Sequence, residues 1–285
     1  MRDDTVSANS LVNAMKPPPH FDADGHLARF RDRIARYGYQ NWTLSVHTRL
    51  DIDVTAADRF VAALVGESPA ITREHLWLCA AARILRARPL FNATFDGFST
   101  VVPRDRIDLR VSFKTADGLR FGVIENADRL DLAGMARAHA DAAARARPPE
   151  EVGEPPPVHP GVIGRLKDDL AATVFDLVPY AERLVGVRSG AEEGTFTVIN
   201  AGAWRAEDYH AVLLRPATAM MVVMKPREEV VRTPAGPALT VKLPVAVPFC
   251  HKIMDTDAAG YFLFHLQELL KTPETLCDAA QGRSG

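Results

Sequence analysis

Residues 248–262 read PFCHKIMDTDAAGYF and join two runs of different periodicity. The run before them, ALTVKLPVAV, is largely apolar, as a buried strand would be. The run after them, DAAGYFLFHLQELLKTP, has helical periodicity and includes a proline just beyond the helical part, Pro273. The turn between the two predicted elements contains His251 and, four places on, Asp255. We therefore expect both side chains at an edge of a sheet, where clefts form.

The residue types in this turn allow two interpretations. An imidazole has an ordinary pKa of about 6.5, so it can accept a proton near neutral pH and act as a general base. Asp255 lies within reach of His251 across one turn, where a carboxylate could orient the imidazole or fix the loop through an ion pair. The simpler alternative is a surface histidine beside an aspartate that caps the following helix. The spacing alone does not decide between the two.

Strand-like and helical segments alternate along the rest of the chain, with more helices in the first half and more strands in the second. Strands are predicted at 42–52, 194–202, 211–225 and 238–249, and the longest apolar helix at 71–89. This pattern predicts an α/β (α+β) fold in which helices flank a mixed sheet. Residues 1–22 are polar and contain PPP, which predicts a mobile tail. Residues 23–285 are predicted to form one domain.

The composition excludes several classes of protein. Of 285 residues, 47% are hydrophobic and 25% are charged, and the net charge is -2, so neither nucleic acid nor an anionic membrane is expected as the main partner. No apolar stretch reaches the roughly 18–20 residues that cross a bilayer. Cys79, Cys250 and Cys277 lack metal-ligand spacing, so no metal site is predicted. An odd number of cysteines and the absence of a secretory signal predict a cytoplasmic protein.

Several ordered stretches resemble the catalytic core of the acyltransferase subunit of 2-oxo-acid dehydrogenase complexes, in the chloramphenicol acetyltransferase-like superfamily. CHKIMDTDAAGYF is similar to the family's DHRVxDGADAARF motif and matches it at His251 and Asp255. ARPLFNATFDG at 87–97, ADGLRFGVIENADRLDLAGMARAHADAAARAR at 116–147 and GTFTVINAG at 194–202 resemble three other family stretches. The resemblance covers about residues 40 to 275.

The resemblance implies a mixed sheet flanked by helices, assembled as a homotrimer or a larger particle with active sites between subunits. It implies that His251 removes a thiol proton so that the thiolate attacks an acyl carbonyl, and that Asp255 holds the turn and the orientation of the imidazole. No permanently bound cofactor is expected. The implied co-substrate is acyl-CoA or a lipoyl or phosphopantetheine thioester, delivered as a small molecule or on a carrier protein.

The chain departs from the family pattern at residues close to the implied chemistry. The family's oxyanion donor is the serine hydroxyl at the third position of TISNLG, whereas this chain has Ile199 at the matching position. Thr197 and Asn200 are the nearby substitutes for binding the substrate. Thr197 shares the face of Ile199 on a strand, and Asn200 does not. Thr256 replaces the glycine of the family's DG pair. Cys250 is expected to be a small buried strand residue.

Two further departures concern the architecture. No lipoylation-type DKA segment is found, so we expect a stand-alone core without lipoyl or partner-binding domains, whose acyl donor comes from elsewhere. A helical segment is inserted at about 148–190, with an apolar stripe that packs on its own domain or contacts a partner. The sequence therefore predicts an acyltransferase with His251 as its base. The alternatives are a trimeric scaffold that has lost the chemistry, and a core that has adopted another carbonyl reaction, such as a condensation.

Overall fold

The computed structural model describes residues 45–64, 71–95, 101–148, 194–213, 217–234 and 236–278. All of them belong to one compact unit, Thr43–Gly285. The predicted tail at 1–22 and, apart from Pro148, the predicted insertion at about 148–190 lie outside these ranges, so both stay predictions. Among the helices of the described ranges, none is long and apolar enough to cross a membrane.

Nine strands and four α-helices make up the described part of the chain. The strands are β1 (Ser45–Asp53), β2 (Ala93–Phe95), β3 (Val101–Pro103), β4 (Leu109–Thr115), β5 (Gly118–Ile124), β6 (Phe196–Asn200), β7 (Met220–Val223), β8 (Arg227–Thr233) and β9 (Gly236–Cys250). The helices are α1 (Thr55–Ala63), α2 (Arg73–Ala87), α3 (Leu132–Ala144) and α4 (Thr256–Lys271). Short 3-10 turns lie between or after these elements at Pro89–Asn92, Ala127–Arg129, Ala201–Trp204 and Pro273–Leu276.

The main sheet has the strand order β1-β9-β7-β6-β4-β5, and β8 pairs with the first part of β9. Strand β6 is parallel to both β4 and β7, whereas β9 is antiparallel to β1, β7 and β8. The predicted mixed sheet is therefore confirmed. The predicted strand at 211–225 is wrong in extent, because within it only β7, Met220–Val223, is a described strand.

The two faces of the sheet are covered differently. Alternate residues of β7 and β9 point to opposite faces, as the twofold repeat of a strand requires. Met221 and Phe249 belong to the main core, which also includes buried residues of α2 and the buried stripe of α4. Met220 and Cys250 belong to a smaller apolar cluster. Each large side chain buried in such a core contributes about 1.5–3 kcal/mol.

Candidate active site

The turn between β9 and α4 is fixed at both ends by its own backbone and side chains. The carbonyl of Cys250 accepts the N–H groups of Ile253 at 3.0 Å and Met254 at 3.1 Å. Asp255 is the N-cap of α4, and its Oδ1 accepts the N–H of Ala258 at 2.9 Å. A carboxylate suits this place because the first N–H groups of a helix lack intrahelical partners. Cys250 itself is fully buried, as predicted.

His251 lies exposed on this turn, with one of its ring nitrogens already bonded. Its Nδ1 is 3.0 Å from the carbonyl oxygen of Met254. Because a carbonyl oxygen can only accept, Nδ1 carries the hydrogen, and the neutral imidazole has its lone pair on Nε2. The backbone therefore selects the tautomer in which Nε2 can accept a proton.

The orientation of the imidazole by Asp255 stays a prediction, and within one chain the carboxylate bonds elsewhere. The carboxylate bonds to the start of α4, and the group that orients the ring of His251 is the Met254 carbonyl. The physical reason is that a helix begins at residue 256, so the nearest unsatisfied donors to Asp255 are backbone N–H groups. The hydrogen bond from Ala258 to Asp255 joins the turn to the start of α4.

Ile199, at the family position of the oxyanion donor, packs partly buried against the smaller apolar cluster, and so does Ile253 from the histidine turn. Val198 points to the opposite face, into the main core. Thr197 is also half-buried, and the alternation of β6 places it on the face of Ile199, as expected. The sheet face that leads to the histidine turn is therefore apolar where the family pattern has a hydroxyl.

The strand register separates Ile199 from His251 within one chain. Ile199 pairs with Val222, and Val222 pairs with Ala246, so Ile199 is level with Ala246 two strands away. His251 lies beyond the end of the same strand, β9. With about 4.8 Å between strands and about 3.3 Å per residue, the two backbones are roughly 15–20 Å apart. One copy of the chain does not bring both residues to a single carbonyl group.

Asn200 bonds to the protein itself, and its role in substrate binding stays a prediction. Its Nδ2 donates to Oε1 of Glu74 at 3.1 Å, and its Oδ1 accepts the N–H of Ala203 at 3.2 Å. Its backbone N–H donates to Oγ of Ser112 at 2.9 Å. The side chain reaches α2, on the helix-covered face, so the expectation that it points away from the face of Ile199 is confirmed.

Three ionisable residues near Asn200 escaped the sequence analysis: Glu74 and His75 of α2 and His139 of α3. Burial raises the pKa of Glu74, and the hydrogen bond from Asn200 partly opposes the rise. Burial lowers the pKa of His75 to about 4, with a smaller contribution from His139, and burial lowers the pKa of His139 as well. The available signal was a Glu-His pair at the start of an otherwise apolar helix.

The residues that the structure describes contain no cluster of three or more His, Cys, Asp or Glu that could hold a metal ion. The two ends of the candidate site are thus an exposed imidazole with a free Nε2 lone pair and an apolar strand end held by polar groups behind it. This arrangement can take up a proton at one end, and it offers no side-chain donor at Ile199.

Comparison with known proteins places the chain in a family. A model of the 2-oxoacid dehydrogenases acyltransferase (catalytic domain) family matches residues 24–150 and 170–277. The dihydrolipoyllysine-residue succinyltransferase component of the 2-oxoglutarate dehydrogenase complex of Rickettsia bellii (strain RML369-C) is 24% identical over 287 residues, covering 97% of this chain and 62% of the relative. The dihydrolipoyllysine-residue acetyltransferase component of the pyruvate dehydrogenase complex of Mycobacterium bovis (strain ATCC BAA-935 / AF2122/97) is 29% identical over 194 residues. This match covers 66% of this chain and 29% of the relative.

A solved structure agrees in fold. The probable dihydrolipoamide acetyltransferase from Listeria monocytogenes 4b F2365 superposes with a TM-score of 0.63 and 16% identity over 95% of this chain and 99% of that one. The chain spans between 29% and 62% of the length of the curated relatives that it matches. Because the family model covers most of its residues, this chain belongs to the family of 2-oxoacid dehydrogenase acyltransferase catalytic domains.

Proposed function

We propose that this chain is an acyltransferase that moves an acyl group between a thioester carrier and a small acceptor, with His251 as general base. The observation that supports this most directly is the bond from Nδ1 of His251 to the Met254 carbonyl, which leaves the Nε2 lone pair on an exposed turn. Membership of the family supports the reaction type, since the curated relatives are named as succinyltransferase and acetyltransferase components.

The proposed chemistry needs one base and no bound metal. Nε2 of His251 takes the proton of an acceptor thiol, and the sulfur attacks the acyl carbonyl carbon while the carbonyl electron pair moves to oxygen. When the oxyanion collapses, the new C–S bond stays, the old C–S bond breaks, and the departing thiolate takes the proton from the imidazolium. The donor is acyl-CoA or a lipoyl or phosphopantetheine thioester. Cys79 and Cys250 are buried free thiols, which agrees with a reducing cytoplasm.

We further propose that the active site is completed between copies in a homotrimer. Two observations support this: His251 is exposed in the single chain, and Ile199 is roughly 15–20 Å from it by strand spacing and rise. A second copy could bring its own β6 to the His251 turn. Light scattering at micromolar concentration should give a trimeric mass, and a monomeric mass would contradict the proposal.

Stabilisation of the oxyanion is the weak point of this chemistry. Ile199 offers no donor, and the loss of one such donor typically costs about 10²–10³ in rate. Thr197, half-buried on the same face, is the proposed substitute for contact with the substrate. Ile199 also favours a second candidate function, a trimeric scaffold that keeps the fold without turnover.

The test is formation of free CoA from a panel of acyl-CoAs with dihydrolipoamide as acceptor, measured by chromatography because transfer between two thiols leaves the total number of free thiols unchanged. His251→Ala should lower turnover by about 10²–10⁴, the usual contribution of a general base. His265→Ala is the matched control, because His265 is also exposed and its Nδ1 is also 3.0 Å from a backbone carbonyl, that of Tyr261. Full turnover by His251→Ala would refute the base assignment. A wild-type chain that turns over no acyl thioester would favour the scaffold.

A further inference from the structure

A polar network behind the sheet connects α2, α3 and the end of β6. Oε1 of Glu74 accepts Nδ2–H of Asn200 at 3.1 Å and lies 3.7 Å from Nε2 of His139. Nδ1 of His139 is 3.3 Å from Nε2 of His75, and Nδ1 of His75 is 3.1 Å from the N–H of Thr72. The residues come from three separate parts of the sequence, so only the fold brings them together.

The backbone N–H of Thr72 fixes which atoms donate and which accept in this network. The N–H of Thr72 can only donate, so Nδ1 of His75 accepts, and the neutral ring carries its hydrogen on Nε2. That hydrogen points to Nδ1 of His139, which accepts, so His139 carries its own hydrogen on Nε2. This Nε2 is buried and has no hydrogen-bond partner within the described part of the chain. Its N–H is therefore left facing the Glu74 carboxylate.

The same carboxylate reaches the strand end that carries Ile199. Asn200, its partner, directly follows Ile199, and its Oδ1 caps the short turn Ala201–Trp204 through the N–H of Ala203. The turn packs closely against the residue that follows β7, because a Cβ on Gly202 would lie only 2.9 Å from the carbonyl oxygen of Met224. Displacement of the Asn200 side chain would therefore shift the backbone next to Ile199.

We infer that Glu74 is a positioning residue for acyl transfer, which fixes the end of β6 by holding the side chain of Asn200. This inference rests on the proposed function, since Ile199 borders the acyl carbonyl only if the family chemistry applies. Glu74 touches no substrate in this arrangement. Its contribution to turnover is to restrict Ile199 and its neighbours to one geometry, which supports catalysis through placement rather than through a proton.

Three substitutions of Glu74 distinguish the effect of its side-chain length from the effect of its charge. Glu74→Gln keeps an oxygen that can accept from Asn200 and loses the charge. Glu74→Asp keeps the charge and withdraws it by one methylene, and Glu74→Ala removes both. We expect a kcat about five- to tenfold lower for the Asp and Ala variants, as for one lost hydrogen bond, with KM for the acyl donor unchanged and kcat of the Gln variant near wild type. Glu268→Gln, on the exposed side of α4, is the control.

Amide hydrogen exchange gives a readout that does not depend on activity. The N–H of Ala203 should exchange faster in Glu74→Ala and Glu74→Asp than in wild type, and Glu74→Gln should restore its protection. The inference is overturned if Glu74→Ala keeps the wild-type kcat, whether or not its melting temperature falls. It is also overturned if kcat falls as much in Glu74→Gln as in Glu74→Ala. If wild type turns over no thioester, the proposed function fails. If the exchange rate at Ala203 is the same in Glu74→Ala as in wild type, Glu74 does not fix the end of β6.

Discussion

The two turns at the candidate site are held by different means. The histidine turn is held locally: the Cys250 carbonyl accepts from the next residues, and Asp255 caps the helix that follows. The turn after β6 is held from a distance, by Glu74 of α2 and Ser112 of β4 acting on Asn200. A local hold comes from contiguous sequence, whereas a distant hold exists only once the helices have packed on the sheet.

The turns also differ in what they offer to a substrate. The histidine turn presents an exposed imidazole whose tautomer the Met254 carbonyl selects. The turn after β6 presents apolar Ile199, and its polar groups face the protein interior. The histidine turn therefore has a base but, among the described residues of one copy, no oxyanion donor near it. The turn after β6 is firmly positioned but also lacks a side-chain donor at Ile199.

The largest effect is expected when two inactive variants are combined. His251→Ala removes the base, and Ile199→Trp fills the space beside the end of β6. If a site takes its histidine from one copy and its β6 from the next, a random one-to-one mixture of the two variants has an intact pair at about a quarter of its sites. Refolding the variants together should restore about that fraction of wild-type turnover. Turnover that stays at the level of the separate variants would show that both turns act within one copy.

A second effect concerns stability against acid, which we expect to come from the network behind β6. The pKa of His75 is lowered to about 4 in the folded chain, so the unfolded chain takes up this proton first as the pH falls. The contribution of His75 to the free energy of unfolding should therefore be constant above about pH 6.5 and fall by about 3 kcal/mol towards pH 4. The raised pKa of Glu74 acts in the opposite direction above its ordinary value, which moderates the slope. Urea unfolding at a series of pH values measures this pH dependence of the free energy of unfolding.

The control for this slope is His75→Gln. A glutamine three residues after the N-cap Thr72 can accept the same N–H, as in a capping box, and it does not titrate. The variant should lose most of the dependence between pH 6.5 and 4 and keep the wild-type stability at neutral pH within about 1 kcal/mol. An unchanged slope would show that other groups cause it.

A smaller effect is expected at Ile199. Ile199→Ser restores a hydroxyl at the family position of the oxyanion donor, so turnover should rise by up to about tenfold, less than a fully aligned donor contributes. Ile199→Ala removes the same apolar bulk without adding a donor, so the difference between the two variants isolates the hydroxyl. Equal turnover in both variants would mean that the end of β6 does not face the developing oxyanion.

The same contrast explains what the sequence could predict. The strand, turn and helix around His251 lie next to one another in the chain, so periodicity and motif identified them. The Met254 carbonyl was missed because any residue supplies a carbonyl, and the resemblance led to Asp255 instead. Glu74 and Asn200 are 126 residues apart, and His75 and His139 are 64 apart, so no local pattern joins them. Burial of these polar groups became visible only with the packing of α2 and α3.

The smallest effect separates the two roles that were predicted for Asp255. Its carboxylate caps α4 through Ala258, so Asp255→Ala should lower the free energy of unfolding by about 1 kcal/mol, the usual loss for an N-cap. Asp131→Ala is a matched variant, because Asp131 caps α3 through Gly134 in the same way and is not in the histidine turn. Both should lose similar stability in urea unfolding. Turnover should fall a few-fold in Asp255→Ala alone, since fraying of the first turn of α4 loosens the Met254 carbonyl that orients His251. A loss in Asp255→Ala as large as in His251→Ala would mean that the carboxylate acts on the imidazole directly in the assembled protein.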